Sequence, residues 1–358
     1  MSLGNILRQW GKDKMKFKKI VTLAMAGIIS TSFLTGCAGK SENEGSQKDK
    51  YTVAMITDVA GVNDQSFNQS AWEGLQRAKK ELGVEVKYLE SKQDADYATN
   101  VETLVDEEVD LIVGVGSKLS QTIETAAKDY PEQKFLMVDE TYEEIPSNVK
   151  SVLFNAEQSA YLVGLIAAKM SETNNVGFIG GMQLSVIDTF KYGYMAGVKT
   201  ANPDCEIQSQ YANSFTDQAK GKAIANQMMS NKADVIFIAG GDVGTGAIEA
   251  IKEAGKYGIG VDRDQSDLAV DNVLTSAIKR VDVGIFETVK DFVNGKFEGG
   301  TETVYGLEEN AVGIPDTTKN LVSQDVLDYV NEQMKKLQDG EITVPKTEEE
   351  YNKFIKNL

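Results

Sequence analysis

From residue 51 onward, short apolar runs alternate with longer amphipathic segments, and this alternation occurs in two successive halves of the chain. Runs such as YTVAMIT (51–57) and DLIVGVG (110–116) are rich in β-branched residues, which is typical of buried strands. Between them, residues 67–82 place apolar side chains at helical spacing, and Gly83 ends that helix. Strands that alternate with helices predict a parallel sheet covered on both faces.

The same pattern restarts after SVLFN (151–155). We therefore expect an α/β protein of two doubly wound parallel-sheet lobes with a cleft between them. The expected boundaries are 51–154 plus about 265–292 for lobe 1, 155–264 plus about 293–340 for lobe 2, and 341–358 for a charged C-terminal tail.

The composition excludes several kinds of catalytic and metal site. The 358 residues include no histidine, which rules out Ser-His-Asp and Cys-His catalysis and any His-ligated metal. Two cysteines without a cluster do not predict a zinc or iron–sulfur site, and no cofactor is expected. The formal charge of −17 and the pI of about 4.6 argue against nucleic-acid binding, which needs a basic face.

A targeting segment precedes the first predicted strand. The stretch MKFKKIVTLAMAGIISTSFLTGC (15–37) starts with three lysines and continues with an apolar run from Ile20 to Leu34. That run is short for a spanning helix, which needs about 20 residues, so we interpret it as a signal peptide. Its ending, Leu-Thr-Gly-Cys37, resembles the lipobox of bacterial lipoproteins, where the cysteine sulfur receives a diacylglycerol and cleavage makes that cysteine the N-terminus. The alternative is an anchor helix that ends in a chance cysteine.

Membrane attachment of the processed chain would depend on this lipid. Residues 1–14 are interpreted as an extension, and residues 38–50 are small, polar and charged, which indicates a flexible tether. Residues 1–37 hold six of the 37 Lys and Arg and one of the 54 Asp and Glu, so the remainder carries a formal charge of −22. Such an acidic body has no electrostatic attraction to anionic lipids. With Cys37 acylated, Cys205 has no disulfide partner, and we interpret it as structurally inert.

The strand ends predict where a ligand binds. In an open parallel sheet, ligands sit beyond the carboxyl ends of the strands, and two facing lobes would bring these ends to one cleft. The candidate residues at or just after strand ends are Asp58, Ser117, Asp139, Gly241 and Asp262. The Gly-rich turns GVGSKLS (114–120) and AGGDVGTG (239–246) lack the Lys-Ser/Thr ending of a phosphate loop, so tight packing of helix on strand is the preferred interpretation.

Three aromatic residues, Phe67, Phe190 and Phe215, follow predicted strands at strand–helix junctions. Each alone could be a core residue, but three at matching junctions favour a pocket in which an aromatic ligand stacks. Ser66 is predicted to cap the helix that begins beside it. For Asp262 and Lys279 two interpretations stay open, a carboxylate and an ammonium that share a ligand diol, or a simple ion pair.

Five strings carry a resemblance to a known family: DQSFNQSAWEGL, SVLFNAEQSAYLVGLIAA, AGGDVGTGAIEA, IGVDRDQS and VLTSAIKRVD. In this order they resemble the BMP (basic membrane protein) family of bacterial lipoproteins, which includes the PnrA-like purine nucleoside receptors. The resemblance runs from about Tyr51 to Leu337. It implies a type I periplasmic-binding-protein fold with three crossovers between its lobes, and a lipoprotein that hands nucleosides to an ABC importer.

The resemblance also implies roles for the candidate residues. The base is expected to stack between Phe67 and an aromatic side chain of the second lobe. The side chains expected at the polar edge of the base are Asp58, Asp64 and Asn68. Those expected to hold the ribose are Asp262 and Lys279, together with the backbone of Gly241. Further expected cleft positions are Ser117, Asp139 and Phe190.

We therefore expect a monomeric, lipid-anchored protein on the extracytoplasmic face of the cell membrane. Its expected partners are a purine nucleoside, such as inosine, guanosine or adenosine, and the permease of an ABC transporter. A sugar receptor of the same fold is the alternative. An enzyme acting on nucleosides is disfavoured, because the acids are scattered one per strand and no paired-acid or metal-ligand spacing occurs.

Overall fold

The computed structural model of the chain describes residues 50–358. The predicted signal peptide, the lipidation site Cys37 and nearly all of the predicted tether lie outside these residues. Within residues 50–358, no helix has the length and apolar character needed to cross a membrane.

Lobe 1 is built on a six-stranded sheet with the strand order β11-β5-β4-β3-β1-β2, in which all neighbouring strands pair in parallel. Its strands are β1 (Thr52–Ile56), β2 (Glu85–Leu89), β3 (Leu111–Val115), β4 (Lys134–Val138), β5 (Val149–Phe154) and β11 (Thr301–Tyr305). The helices that cover it are α1 (Phe67–Leu82), α2 (Asp96–Asp106), α3 (Ser120–Asp129) and α8 (Val281–Val293).

Both faces of this sheet are buried because successive strand residues point to opposite sides. Val53 and Met55 face the core that α1 and α8 cover, while Ala54 and Ile56 face the core under α2 and α3. This explains why β1 is an unbroken apolar run rather than an alternating one.

Lobe 2 repeats the plan with the order β12-β10-β9-β8-β6-β7, and only the edge strand β12 is antiparallel. Its strands are β6 (Asn175–Gly180), β7 (Glu206–Tyr211), β8 (Val235–Ala239), β9 (Tyr257–Asp262), β10 (Val273–Lys279) and β12 (Val312–Gly313). Its helices are α4 (Ala156–Met170), α5 (Ser185–Ala201), α6 (Gln218–Ser230), α7 (Asp242–Glu253) and α9 (Gln324–Gln338). Short 3₁₀ turns cover Ser117–Leu119, Ser266–Leu268 and Asp316–Asn320.

The chain passes between the lobes three times, and two of the passages differ from the expected boundaries. Strand β10 pairs with β9 in lobe 2, although residues 265–292 were expected in lobe 1, and only α8 of that range packs against lobe 1. Strand β11 pairs with β5 in lobe 1, although residues 293–340 were expected in lobe 2. Hydrophobic periodicity identifies a strand, but it carries no information about which of two similar sheets the strand joins.

The C-terminal tail forms a helix that is docked on lobe 2. Helix α10 (Glu348–Lys356) is capped by Thr347, whose hydroxyl accepts from the Glu350 backbone N–H. Tyr351 packs on Tyr192 of α5 with ring centroids 5.9 Å apart. Cys205 is fully buried, and burial raises the pKa of its thiol to about 11, in agreement with an inert role.

Candidate ligand-binding site

A cavity lies between the lobes at the carboxyl ends of the strands. All eleven residues that the sequence analysis proposed for ligand contact line this one cavity: Asp58, Asp64, Phe67, Asn68, Ser117, Asp139, Phe190, Phe215, Gly241, Asp262 and Lys279. Among residues 50–358, no group of acids and cysteines is arranged to hold a metal ion.

The N-terminus of α1 points into the cavity and is capped by Asp64. The two carboxylate oxygens of Asp64 accept from the backbone N–H groups of Ser66, Asn68 and Gln69 at 2.8–3.1 Å. Ser66 occupies the N-cap position, as predicted, but its side chain makes no cap bond. Its hydroxyl instead donates to Asp262 of lobe 2, because Asp64 already satisfies the free N–H groups of the first turn.

Asn68 is held in one orientation by two carboxylates. Its side-chain N–H₂ group donates to Asp58 at 2.8 Å and to Asp64 at 3.0 Å. Only this orientation of the amide satisfies both acids. The amide oxygen of Asn68 is consequently left buried with no partner. This end of the cavity therefore offers an acceptor to a ligand donor.

Burial raises the pKa of both neighbouring acids. Desolvation raises the pKa of Asp58, and its bonds with Asn68 and the Ala60 N–H oppose that shift. Desolvation likewise raises the pKa of Asp64 to about 6, against the bonds to the α1 backbone. Both side chains are nearly inaccessible, with 8% and 2% of their surface exposed. Asp64 thus mainly fixes α1 and Asn68, although it borders the cavity.

Lys279, at the end of β10, is the charge centre of the cleft. Its ammonium donates to Asp139 of lobe 1 and lies 3.5 Å from Asp262 Oδ1, and all three side chains are at most 6% exposed. Burial disfavours the ammonium, but the two carboxylates outweigh it and raise the pKa of Lys279 above its ordinary value. Desolvation raises the pKa of Asp139, which Lys279 partly offsets. Of the two interpretations of Asp262 and Lys279, the ion pair is present, and Asp262 Oδ1 makes no hydrogen bond within the protein.

The two acids beside Lys279 occupy equivalent places in the two lobes. Asp139 follows β4 and Asp262 ends β9, which have the same position in their sheets. Both have a left-handed backbone, with φ of 64° and 63°. Such a conformation is uncommon for residues other than glycine and concentrates at functional sites. It aims both carboxylates at one ammonium across the cleft.

The three aromatic residues divide into two kinds. Phe67 and Phe215 are half-buried on the cavity wall, whereas Phe190 is 1% exposed and packs edge-on against Phe237 at 6.0 Å. A Cβ on Gly116 would lie 3.3 Å from the Phe67 ring, and one on Gly181 would lie 2.4 Å from the Phe215 ring. Glycine at these two strand ends therefore makes room for an aromatic side chain.

Several lining residues were not identified from the sequence. Ser66 was interpreted only as a cap, and the apolar residues at the start of α5 were not considered: Leu184, Val186 and Ile187. The same rule about strand ends would have found them, since this segment directly follows β6. They provide apolar surface on the lobe 2 side of the cavity.

Comparisons with known proteins agree with this fold and cavity. A family described as "ABC transporter substrate-binding protein PnrA-like" matches residues 51–348. A CD4+ T-cell-stimulating antigen of Listeria innocua is 42% identical, over 92% of this chain and 99% of that protein. The ABC transporter nucleoside-binding protein BmpA of Lactococcus lactis is 37% identical, again over 92% of this chain and 99% of that protein.

A solved structure is similar over nearly the whole described body. The ABC transporter solute-binding protein of Aeropyrum pernix superimposes with a TM-score of 0.79 at 29% identity, covering 86% of this chain and 96% of that one. Together with the two parallel-sheet lobes, this identifies the type I periplasmic-binding-protein fold that was expected.

Proposed function

We propose a purine nucleoside as the ligand of this chain, which belongs to the PnrA-like family of ABC transporter substrate-binding proteins. Membership of this family makes the protein the extracytoplasmic binding component of a transporter rather than an enzyme.

The observation that carries the proposal is a pair of buried acceptor oxygens that make no hydrogen bond, one from each lobe, of which the Asp262 oxygen lies 3.5 Å from the Lys279 ammonium. Asn68 Oδ1 belongs to lobe 1, and Asp262 Oδ1 belongs to lobe 2. A buried acceptor without a hydrogen bond costs free energy, so both atoms favour a ligand that brings donors. A nucleoside has N–H groups on the base and O–H groups on the ribose, at opposite ends of one molecule.

The base is assigned to the end of the cavity that contains Asn68 and the aromatic rings. Phe67 and Phe215 expose ring surface on opposite lobes, and base–aromatic stacking contributes about 1–3 kcal/mol per base. Asp58 and Asn68 would then accept from the polar edge of the base.

The ribose is assigned to the side of the cavity that Lys279 and Asp262 border, where the Lys279 ammonium also lies 4.5 Å from the Phe67 ring centroid. An ammonium has three donors, of which one bonds Asp139, so Lys279 retains capacity for a ribose oxygen. Asp262 would accept from a ribose hydroxyl through the oxygen that has no hydrogen bond. Gly241, at the N-cap of α7 with φ of 57°, would offer its backbone to the same sugar.

The proposed function includes delivery of the nucleoside to a transporter and attachment of the protein to the membrane. The relative from Lactococcus lactis is named as a nucleoside-binding protein, which supports a nucleoside here. We propose that a monomer, anchored by a lipid on Cys37, presents its ligand to the permease of an ABC importer.

Mass spectrometry of the small molecules released on denaturing the purified protein tests the ligand class. The expected result is a purine nucleoside. Calorimetric titration with inosine, uridine and ribose should give tight binding for inosine, weaker binding for uridine and none for ribose. Tight binding of ribose with no response to inosine would replace the proposal with a sugar receptor.

A further inference from the structure

Gln265, in the loop between β9 and β10, is a buried amide that the sequence did not mark as functional. Its side chain is 3% exposed, and it does not line the proposed ligand cavity. Its backbone N–H donates to Ser276 Oγ at 3.0 Å, and its side-chain oxygen accepts from the Val261 N–H at 3.0 Å. Lobe 2 therefore holds Gln265 rigidly in one place.

The packing around this amide leaves no room for a larger neighbour. A Cβ on Gly260 would lie 2.5 Å from Gln265 Oε1 and 2.6 Å from Ser276 Oγ. Since the oxygen is used by the Val261 N–H, the side-chain N–H₂ group must point the other way. The orientation of the amide follows from lobe 2 alone.

The N–H₂ group of Gln265 reaches across to lobe 1. It donates to the backbone oxygen of Gln65 at 2.9 Å. Gln65 has a left-handed backbone with φ of 55°, an uncommon conformation that needs support from its surroundings. It lies between Asp64, which caps α1, and Ser66, which bonds Asp262. The contact thus fixes the lobe 1 loop that leads directly into Phe67.

We infer that Gln265 is a positioning residue that couples closure of the lobes to the ordering of the loop 58–66, and so sets how long the ligand stays bound. The inference rests on the proposed function for the identity of the ligand. The hydrogen bond from Gln265 to Gln65 does not depend on that identity. When the lobes separate, the bond to Gln65 is lost and the loop loses its support from lobe 2. When they close, the loop carries Asp64 and Phe67 into place around the ligand.

Another polar contact between the lobes, which is more exposed, provides a comparison. Arg263 donates to Glu73 at 3.0 Å, but these side chains are 25% and 45% exposed. Exposed ion pairs contribute little, about 0–1 kcal/mol. The neutral bond of Gln265 is partly buried and its donor side chain is 3% exposed, so water competes with it less than with the ion pair. The two contacts therefore predict different effects on binding.

The test uses two substitutions in the full-length chain, purified in detergent. Gln265→Glu retains an oxygen for the Val261 N–H but places a second oxygen against the Gln65 carbonyl. Gln265→Met removes both bonds. We expect Gln265→Glu to weaken inosine binding roughly 10- to 100-fold, mainly through faster dissociation in stopped-flow displacement. The control Arg263→Gln should change the affinity less than about 3-fold.

Hydrogen–deuterium exchange, measured by mass spectrometry with and without inosine, distinguishes two roles of Gln265. One is ordering of the loop 58–66 in lobe 1, and the other is support of the turn after β9 alone. In both Gln265 variants, exchange of residues 58–66 in lobe 1 should rise. If Gln265 served only the turn after β9, exchange would rise only around residues 257–265, and Gln265→Glu would bind inosine like the wild type. Either result would overturn the inference. Failure of the wild type to bind inosine would reject the proposed ligand, while the exchange of residues 58–66 would still decide the role of Gln265.

Discussion

At the scale of single residues, Phe67 and Phe190 both lie at strand–helix junctions, but their surroundings differ. Phe67 is half-buried on the cavity wall, whereas Phe190 is 1% exposed and packs on Phe237. Burial therefore separates Phe67, whose half-buried ring has its centroid 4.5 Å from the Lys279 ammonium on the cavity wall, from Phe190, which borders the cavity but packs in the core.

Substitution of these two residues should affect different properties. Phe67→Ala should weaken inosine binding by about 1–3 kcal/mol, because a stacking surface is lost. It should leave the free energy of unfolding nearly unchanged. Phe190→Ala should instead lower the free energy of unfolding by about 3–5 kcal/mol, because it opens a cavity in the core. Calorimetry and urea unfolding measure the two effects. Equal loss of stability in both variants would contradict this division.

The role of Asp262 is tested by the part of the ligand that it should contact. Asp262→Ala removes the acceptor proposed for the ribose, so it should weaken inosine by about 1–3 kcal/mol or more. Binding of the free base hypoxanthine should change much less, since the base would still contact Phe67 and Asp58. The wild type should bind 2′,3′-dideoxyinosine poorly for the same reason. The measurement is a calorimetric titration with the three ligands.

Asp262 also accepts from Ser66, so the experiment needs a matched control. Ser66→Ala removes the same bond between the lobes but leaves the carboxylate in place. A loss beyond that of Ser66→Ala that occurs for inosine and not for hypoxanthine is then due to the ribose contact, because losing the ion pair with Lys279 would affect both ligands. A loss that is equal for inosine and hypoxanthine would mean that Asp262 serves only to join the lobes.

At the scale of elements, α4 and α5 pack so closely that their backbones touch. A Cβ on Gly164 would lie 2.2 Å from the Tyr194 backbone oxygen, and one on Gly197 would lie 2.1 Å from the Tyr161 backbone oxygen. Neither neighbour is a flexible side chain that could move aside. These helices cover one face of the lobe 2 sheet, and α5 begins at the ligand cavity.

Adding one methyl group at this crossing should destabilise the protein. Gly197→Ala should lower the free energy of unfolding by about 1–3 kcal/mol, the usual cost of overpacking. The matched control is Gly244→Ala in α7, where the new Cβ would make an ordinary contact 3.4 Å from Ile238. Because alanine favours helix over glycine, the control should be neutral or slightly stabilising. Urea denaturation midpoints compare the two, and a stable Gly197→Ala protein would refute the close crossing.

At the scale of the whole molecule, the acidic charge decides how the protein can be held at a membrane. Without residues 1–37, the formal charge is −22, so anionic lipids repel the body. Cys37→Ser removes the sulfur that would accept the lipid, and the protein should lose stable membrane attachment. Fractionation with a high-salt wash measures this. Retention of the variant in the membrane fraction would contradict the lipid anchor.

The sequence by itself determined the strands up to β10, most of the helices, the fold class and the location of the cavity, but it did not predict β11 and β12. Strands and helices follow from periodicity within a few residues, and strand ends in a parallel sheet converge on one edge. For this reason the sequence alone assigns Asp58, Asp139 and Asp262 to one cleft, although they lie far apart in the chain.

Only the tertiary structure decided which lobe receives β10 and β11, and which side chain each polar group meets. Ser66 was expected to cap α1, but it bonds Asp262, which is 196 residues away, and Gln265 reaches Gln65 across 200 residues. Such contacts depend on how three crossovers bring the lobes together. Local patterns encode neither that geometry nor the burial that separates Phe67 from Phe190, because both arise from atoms distant in sequence.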